Sequence, residues 1–288
     1  QVISYWEKQL SQVLPNKPDL IVLPEGSDQP GGLTMEEKLA YLRVRKNQIL
    51  DFFASIARNN NCYIVYGTNR LLEDGTRRNS SVIIDRKGEI AGIYDKNFPM
   101  VGEIDSGVVP GNETPVFQCD FGTVACAICF DLNFVELRDA YAQKRPDIIL
   151  FSSMYHGGQM QANWAYTCRS FFVGAIGDGE LPSEIRNPQG EIIATSTNYF
   201  NFAITTINLD TEIAHLDYNW SKIRSLRSKY GNSVVVSEPG HLGSVLITSQ
   251  HEKISALDMV KEFDIELLDD YFKRSREYRR KQFEPHGH

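Results

Sequence analysis

The stretch Thr123-Val124-Ala125-Cys126-Ala127-Ile128-Cys129 decides how the rest of the chain is read. It is nearly all small and apolar, as a buried strand should be. The run breaks at Phe130-Asp131, and Val135, Leu137, Ala140 and Tyr141 then recur roughly at helical spacing. Cys129 is therefore expected where a strand hands over to the first turn of a helix. A thiol there meets unpaired backbone N–H groups and the positive end of a helix dipole. Both are expected to lower its pKa and favour the nucleophilic thiolate. Taken alone, such a cysteine reads better as a small core residue.

Two other positions change that reading. Glu25 follows the apolar strand Asp19-Leu-Ile-Val-Leu23, inside Leu23-Pro24-Glu25-Gly26. Lys96 follows Glu89-Ile-Ala-Gly-Ile-Tyr94, inside Tyr94-Asp95-Lys96. In open α/β architectures reactive groups collect outside the carboxyl ends of strands. Singly, Glu25 and Lys96 would be surface charges in loops. A carboxylate, an ammonium and a thiol at equivalent ends of separate strands form a catalytic combination instead.

These segments resemble the signatures of the nitrilase superfamily of carbon–nitrogen hydrolases, with its Glu-Lys-Cys triad. The resemblance runs from the first helix to about residue 210. Supporting pieces are Asn79-Ser-Ser-Val-Ile-Ile-Asp85 with Gly88-Glu89-Ile90, then Pro110-Gly111, then Ile185-Arg-Asn-Pro188-Gln-Gly190-Glu-Ile-Ile-Ala194. Each is weak by itself, and all occur in the family's order.

A chain of 288 residues with 42% hydrophobic and 23% charged residues can bury a sizeable core. No Pro/Ser/Gly-rich linker divides it, so one hydrolase domain (1–240) with a C-terminal extension (241–288) in the same structural unit is expected. The net charge of −7 argues against a nucleic-acid partner. The basic run Lys273-Arg-Ser-Arg-Glu-Tyr-Arg-Arg-Lys281 reads as a solvated helix face, balanced by Asp264, Glu266, Asp269 and Asp270. No apolar run approaches the ~18–20 residues needed to cross a bilayer. No secretory signal is visible, and the chain starts at Gln1 on a helix-like segment, where relatives open with a strand. Five cysteines without a disulfide-framework spacing fit a reducing cytoplasm.

Periodicity gives a helix over Ile3–Val13 and a single long helix over Met35–Asn59, striped by Leu39, Leu42, Ile49, Phe53 and Ile56. Strands are expected near 62–67, 80–85, 89–94, 114–118, 123–128, 147–151, 172–177, 191–195 and 200–208. Turn signals stand at Asp74-Gly75 and Lys87-Gly88. A further helix is expected near Gln161–Phe171. Beyond about residue 240 the sequence reads as a partly extended tail ending in a helix near Ile265–Gln282. Interleaved strands and helices imply an α/β fold with helix-covered sheets, and the resemblance implies a four-layer α-β-β-α sandwich.

The chemistry implied is a thiol amidohydrolase without a cofactor. Glu25 serves as general base, Cys129 as nucleophile, and Lys96 stabilises the oxyanion beside a backbone N–H near Phe130. Family members carry a further glutamate after the lysine, and Glu103 fits it better than Asp105 or Glu113. The Cys126-Ala-Ile-Cys129 pattern suggests redox or zinc chemistry as a rival. Both cysteines precede the helix, strand alternation turns them to opposite faces, and no second ligand pair accompanies them. A binding protein that kept the fold but lost the chemistry has no support, because all triad positions are intact.

After the nucleophile, Phe130-Asp131-Leu132 resembles the amidase and carbamoylase branches rather than nitrilases, which usually carry Trp-Glu. Asn133-Phe134 stands where carbamoylases often show paired arginines. An amide is therefore the leading substrate and an N-carbamoyl amine the alternative. Met154, Tyr155, His156 and Trp164 are candidates to line the substrate site, with Phe130 and Asn133 from the nucleophile side. The remaining histidines are scattered, His286 and His288 among them, and give no metal site. The tail from His241 onward carries Ile254, Leu257, Val260, Phe263, Ile265, Leu267, Leu268 and Phe272, an apolar set that should be buried on its own domain or on a neighbour. With the family's habit of two-fold pairing, a homodimer follows, with the tail crossing to the partner and the 131–144 helix near the axis.

Overall fold

The computed structural model describes residues 1–237 and 242–283, so His241, His286 and His288 lie outside the described residues. The chain forms two compact units, one of residues 1–205 and one beginning at residue 206.

The first unit opens with helix α1 (Val2–Val13) and strand β1 (Leu20–Val22), then α2 (Met35–Arg45) and α3 (Gln48–Asn60). Strands β2 (Tyr63–Leu71), β3 (Arg77–Ile84) and β4 (Ile90–Asp95) join β1 in a sheet of order β1-β2-β3-β4, in which β1 and β2 are parallel. After the short helix α4 (Val101–Asp105) come β5 (Phe117–Cys119), β6 (Gly122–Ile128), α5 (Val135–Lys144), β7 (Ile148–Ser153), α6 (Gln159–Cys168), β8 (Phe171–Ile176), β9 (Glu184–Arg186) and β10 (Ile192–Thr195). These strands form a second sheet of order β10-β9-β8-β7-β6-β5, with β6, β7 and β8 parallel.

Strand alternation shows how the layers stack. Ile64, Tyr66, Val82 and Ile84 pack with Leu10 of α1 and Phe53 and Ala57 of α3. Val65 and Ile83, pointing the other way, are just as fully buried. Both faces of the first sheet are therefore covered, one by helices and the other by the second sheet, where Ser152 Oγ of β7 donates to the Leu23 carbonyl at 2.8 Å. On the far side, Tyr141 of α5 and Trp164 of α6 are fully buried. The Tyr141 hydroxyl donates to the Cys126 carbonyl of β6 at 2.9 Å. The result is the four-layer α-β-β-α sandwich.

Several expectations need correction. The long helix over 35–59 is two helices, broken at Lys46, whose φ is 47°. The break lets Arg45 reach the buried Asp28 carboxylate while α3 keeps its own apolar face on the sheet. That tertiary demand leaves no trace in the periodicity. Residues 202–210 take no strand pairing, despite the apolar Phe202, Ile204 and Ile207.

The second unit is built from β11 (Thr211–His215), α7 (Trp220–Tyr230), β12 (Val234–Val236), β13 (Ser244–Ser249), α8 (Ala256–Glu262) and α9 (Leu268–Lys281). Strand β13 sits between β11 and β12, antiparallel to both. Strands β12 and β13 thus belong to one sheet of this unit. Ile254, Val260, Phe263, Ile265 and Leu267 pack around Ala214, Leu226, Val245 and Ile247. These apolar residues are covered by their own chain and do not by themselves call for a neighbour. Among the described residues no helix is long and apolar enough to cross a membrane.

Candidate active site

Three strand ends of the first unit deliver the site. Glu25 lies just past β1, where the Leu23 N–H donates to Val65 at 2.7 Å and the Gly67 N–H donates to Pro24 at 3.3 Å. The loop passes so close to β2 that a Cβ on Gly67 would stand 2.6 Å from Glu25 Cα, so only glycine fits there. Lys96 follows β4 directly. Its N–H donates to the Asn79 carbonyl and its own carbonyl accepts from Gly111 N–H, both at 2.8 Å. The backbone is pinned from two sides, and the side chain is only 2% exposed.

The Lys96 ammonium stands 3.0 Å from Glu25 Oε1 and 2.8 Å from Glu103 Oε2. Asn79 Nδ2 donates to the same two residues, to Glu25 Oε1 at 2.7 Å and Glu103 Oε1 at 2.8 Å. Glu103, in the first turn of α4, also accepts the Met100 N–H at 2.7 Å. Burial works against the charge on Lys96, but the two carboxylates outweigh it and hold the ammonium above its ordinary range. Burial likewise opposes the charge on Glu103, and Lys96, the Met100 N–H and Asn79 reverse it, leaving that carboxyl below its usual value. The expected preference for Glu103 over Asp105 and Glu113 thus matches a geometry in which Glu103 touches the lysine.

Cys129 begins a tight 3-10 turn, Cys129–Asn133, and α5 starts only at Val135. Its φ is 47°, a left-handed conformation that a non-glycine residue adopts at some cost and that recurs at functional positions. The thiol is 8% exposed. The Glu25 carboxylate and the Met154 N–H are the neighbouring polar groups that act on its charge, in opposite directions. The expected acidic thiol is not found. Burial, followed by the negative charge of Glu25, pushes Cys129 up to about 11, and Lys96 and the Met154 N–H only partly oppose them. With α5 starting six residues later, no α-helix terminus faces the sulfur.

The remaining candidates divide. Asn133 is exposed, and its amide donates to the Phe130 carbonyl at 3.1 Å and the Tyr155 hydroxyl at 3.2 Å. Phe130, Asn133 and Tyr155 therefore stand together beside the thiol, whose charge is felt at Tyr155. The Met154 side chain is half exposed, while its backbone reaches the sulfur. His156 turns its polar atoms elsewhere. Its Nδ1 accepts from Gly158 N–H at 3.1 Å, and its Nε2 lies 3.3 Å from Glu184. Trp164 is fully buried and its indole N–H donates to the Leu132 carbonyl at 2.9 Å. It supports the nucleophile turn from beneath and has no surface to offer a substrate. Cys126 is fully buried beneath Tyr141, and its thiol, like that of Cys129, is free. Among the described residues no group of three or more His, Cys, Asp and Glu side chains is placed to hold a metal ion.

Two contributors escaped the sequence reading. Asn79 bridges the two glutamates, although only its place at the head of the Asn79–Asp85 segment marks it. Asp131 is wholly buried, a position carboxylates almost never occupy without partners, and it lies two residues past Cys129.

Comparison with known proteins gives a consistent picture. The profile described as carbon-nitrogen hydrolase matches residues 1–211. The chain is 23% identical to nitrilase homolog 2 of Dictyostelium discoideum, over 71% of this chain and 69% of that protein. It is 20% identical to an omega-amidase of Xenopus laevis, over 76% of this chain and 86% of the relative. Among solved structures it resembles an amidase double mutant from Nesterenkonia sp. AN1 in complex with acrylamide, with a TM-score of 0.60 and 16% identity. That superposition covers 67% of this chain and 79% of the amidase, and speaks to the fold.

Proposed function

We propose, from the premise that this chain belongs to the carbon–nitrogen hydrolase family of the nitrilase superfamily, that it is an amidase acting through a Cys129 thioester. The observation that carries this reading is the single cluster of charges around the sulfur. The Glu25 carboxylate acts on the thiol, and the same carboxylate accepts from Lys96 Nζ at 3.0 Å.

As Sγ attacks the amide carbon, its proton passes to Glu25. The carbonyl oxygen takes up the negative charge and draws on the Lys96 ammonium and a backbone N–H near Phe130. Collapse of the tetrahedral intermediate breaks the C–N bond, and the proton on Glu25 leaves with ammonia or an amine. Glu25 then takes a proton from water as it attacks the thioester, and returns it to the sulfur, releasing the carboxylic acid. General acid–base help of this kind is typically worth ~10²–10⁴-fold. Because the resting thiol is pushed up to about 11, a base at the sulfur is required for attack at neutral pH. Glu103, 2.8 Å from Lys96 Nζ, keeps the ammonium charged while Glu25 carries the proton. Asn133, Phe130 and Tyr155 provide the polar and aromatic surroundings of the acyl group.

A linear amide is the substrate favoured here, in keeping with the omega-amidase relative and the acrylamide-bound amidase. Five free, buried cysteines support a reducing cytoplasm as the place of action. A homodimer is the proposed assembly, and light scattering of the full chain at micromolar concentration tests it. The decisive experiment for the activity is ammonia release from amides, N-carbamoyl amines and nitriles by wild type and Cys129→Ala. Amide turnover abolished by the substitution is expected. Turnover of nitriles without amides, or an active alanine variant, would overturn the reading.

A further inference from the structure

One buried charge has no part in the chemistry above. The Asp131 carboxylate is 0% exposed and accepts three hydrogen bonds. Oδ1 takes the Phe98 N–H at 2.8 Å, and Oδ2 takes the Ile128 N–H at 2.9 Å and the Tyr94 hydroxyl at 2.7 Å. The sources of these bonds are informative. Tyr94 and Phe98 flank Lys96, two residues before and two residues after it, and Ile128 immediately precedes Cys129. The Tyr94 oxygen in turn accepts the Asn97 N–H at 3.3 Å, so a second amide of the lysine loop hangs on the same group.

We propose that Asp131 is a positioning residue that clamps the loop bearing Lys96 to the turn bearing Cys129, and so sets the spacing of ammonium and thiol. Its consequence for turnover rests on the amidase reading, whereas the clamp is a matter of geometry alone.

Every partner of the carboxylate is a donor, and only the ionised form offers acceptors on both oxygens. Protonation places a hydrogen among three donors. The phenol proton of Tyr94, or one of the two amides, then loses its acceptor in a site closed to water. The groups whose charge or potential charge bears on Asp131 are Tyr94 on β4, Lys96 in the following loop, Tyr141 on α5 and Tyr155 after β7. The phenols are all pushed up by burial and stay neutral, so Lys96 alone among these four is charged. Burial raises the Asp131 carboxyl to about 6, against the downward pull of the Ile128 N–H, Tyr94, the Phe98 N–H and Lys96. The clamp is closed above that pH and opens as pH falls through it.

The test uses Asp131→Asn and Tyr94→Phe in the full chain. Both are followed by amide hydrolysis and by alkylation of Cys129 with iodoacetamide, across pH about 5 to 8. Asp131→Asn places an NH₂ group among donors, so both rates should fall at least ~10-fold at neutral pH while the amide KM changes little. Tyr94→Phe removes one bond that favours the ionised carboxylate. The Tyr94 hydroxyl bonds Asp131 and the Asn97 N–H but not Glu25, so the acid limb of both profiles should move up by roughly half to one pH unit. Wild-type rates in Asp131→Asn, or an unmoved acid limb in Tyr94→Phe, would overturn the clamp. Should Asp131→Asn fail to fold, the Tyr94→Phe profile decides. Alkylation that behaves as expected while no amide is hydrolysed would sink the amidase reading and leave the clamp standing. Undiminished amide turnover in Asp131→Asn would do the reverse.

Discussion

Replacing Glu103 by glutamine separates a charge that supports catalysis from one that merely decorates a loop. In the native site both carboxylate oxygens accept, Oε2 from Lys96 and the Met100 N–H and Oε1 from Asn79. Glutamine has one acceptor oxygen and one NH₂ group. If its oxygen faces Lys96, its NH₂ meets the Asn79 NH₂; if it is turned over, its NH₂ meets the ammonium. Either way one donor opposes another in a region where Lys96 is 1% and Glu103 24% exposed at the side chain. A hydrogen bond to a charged group contributes about 1.5–3 kcal/mol, which converts to a loss of roughly 10- to 100-fold if it is felt in the transition state.

The loss should fall on kcat. Glu103 touches the lysine and Asn79, whereas the residues proposed to surround the acyl group are Phe130, Asn133 and Tyr155. With one carboxylate gone, Lys96 is left to pair with Glu25 alone, which draws charge from the base that must accept the thiol proton. Steady-state kinetics on a simple amide, with circular dichroism to confirm the fold, measure the effect. A Glu103→Gln enzyme with unchanged kcat and KM would refute the reasoning, because its direct bonds to Lys96 and Asn79 would then count for nothing.

Other outcomes follow from the same geometry. Glu25→Gln should slow alkylation of Cys129 at neutral pH, because a thiol held near 11 needs the base; faster alkylation would mean that a thiolate already exists and that Glu25 only repels it. Gly67→Ala should cut kcat by about tenfold or more, since its methyl would meet the Glu25 backbone at 2.6 Å; wild-type kinetics would show that the loop can shift freely. Because the Glu103 carboxyl is held below its ordinary value of 4.5, its stabilising contribution is complete above that value and is lost as pH falls through the lower, native pKa. The Tm difference between wild type and Glu103→Gln should therefore shrink as pH is lowered below the ordinary carboxylate value; a gap that widens would reverse the sign argued here.

The sequence reading succeeded where local pattern and chemistry coincide. The strand ends carrying Glu25, Lys96 and Cys129 were legible because a carboxylate, an ammonium and a thiol, each ordinary when taken alone, stand at equivalent ends of three apolar runs. Glu103 was legible only through the family resemblance, which implies a further glutamate after the lysine. What failed depended on contacts far apart in the chain. The break at Lys46 answers to Asp28, seventeen or so positions earlier, and periodicity has no access to such a partner. Strand β13 lies at the centre of its sheet, yet its place between β11 and β12 is fixed by pairing and not by its own sequence. Trp164 reads equally well as a pocket wall or as core packing, and only its bond to the Leu132 carbonyl settles the choice.

The sign error at Cys129 is the more instructive case. A strand-to-helix junction suggests a dipole that stabilises thiolate, but the turn at Cys129–Asn133 delays α5 and removes that dipole from the sulfur. What replaces it is burial and the negative charge of Glu25, and both favour the neutral thiol. A resting thiolate would also have to share its site with the negative charge of Glu25, whereas a neutral thiol can donate to that carboxylate. In the proposed mechanism, the same carboxylate that raises the pKa is the one that takes the proton when an electrophilic carbon arrives. Lys96, pinned through its backbone by Asn79 and Gly111, keeps a positive charge in place for the oxyanion without titrating the sulfur beforehand. Reactivity at this cysteine is accordingly a property of the assembled cluster, drawn from three strand ends, and an isolated segment around residue 129 would not possess it.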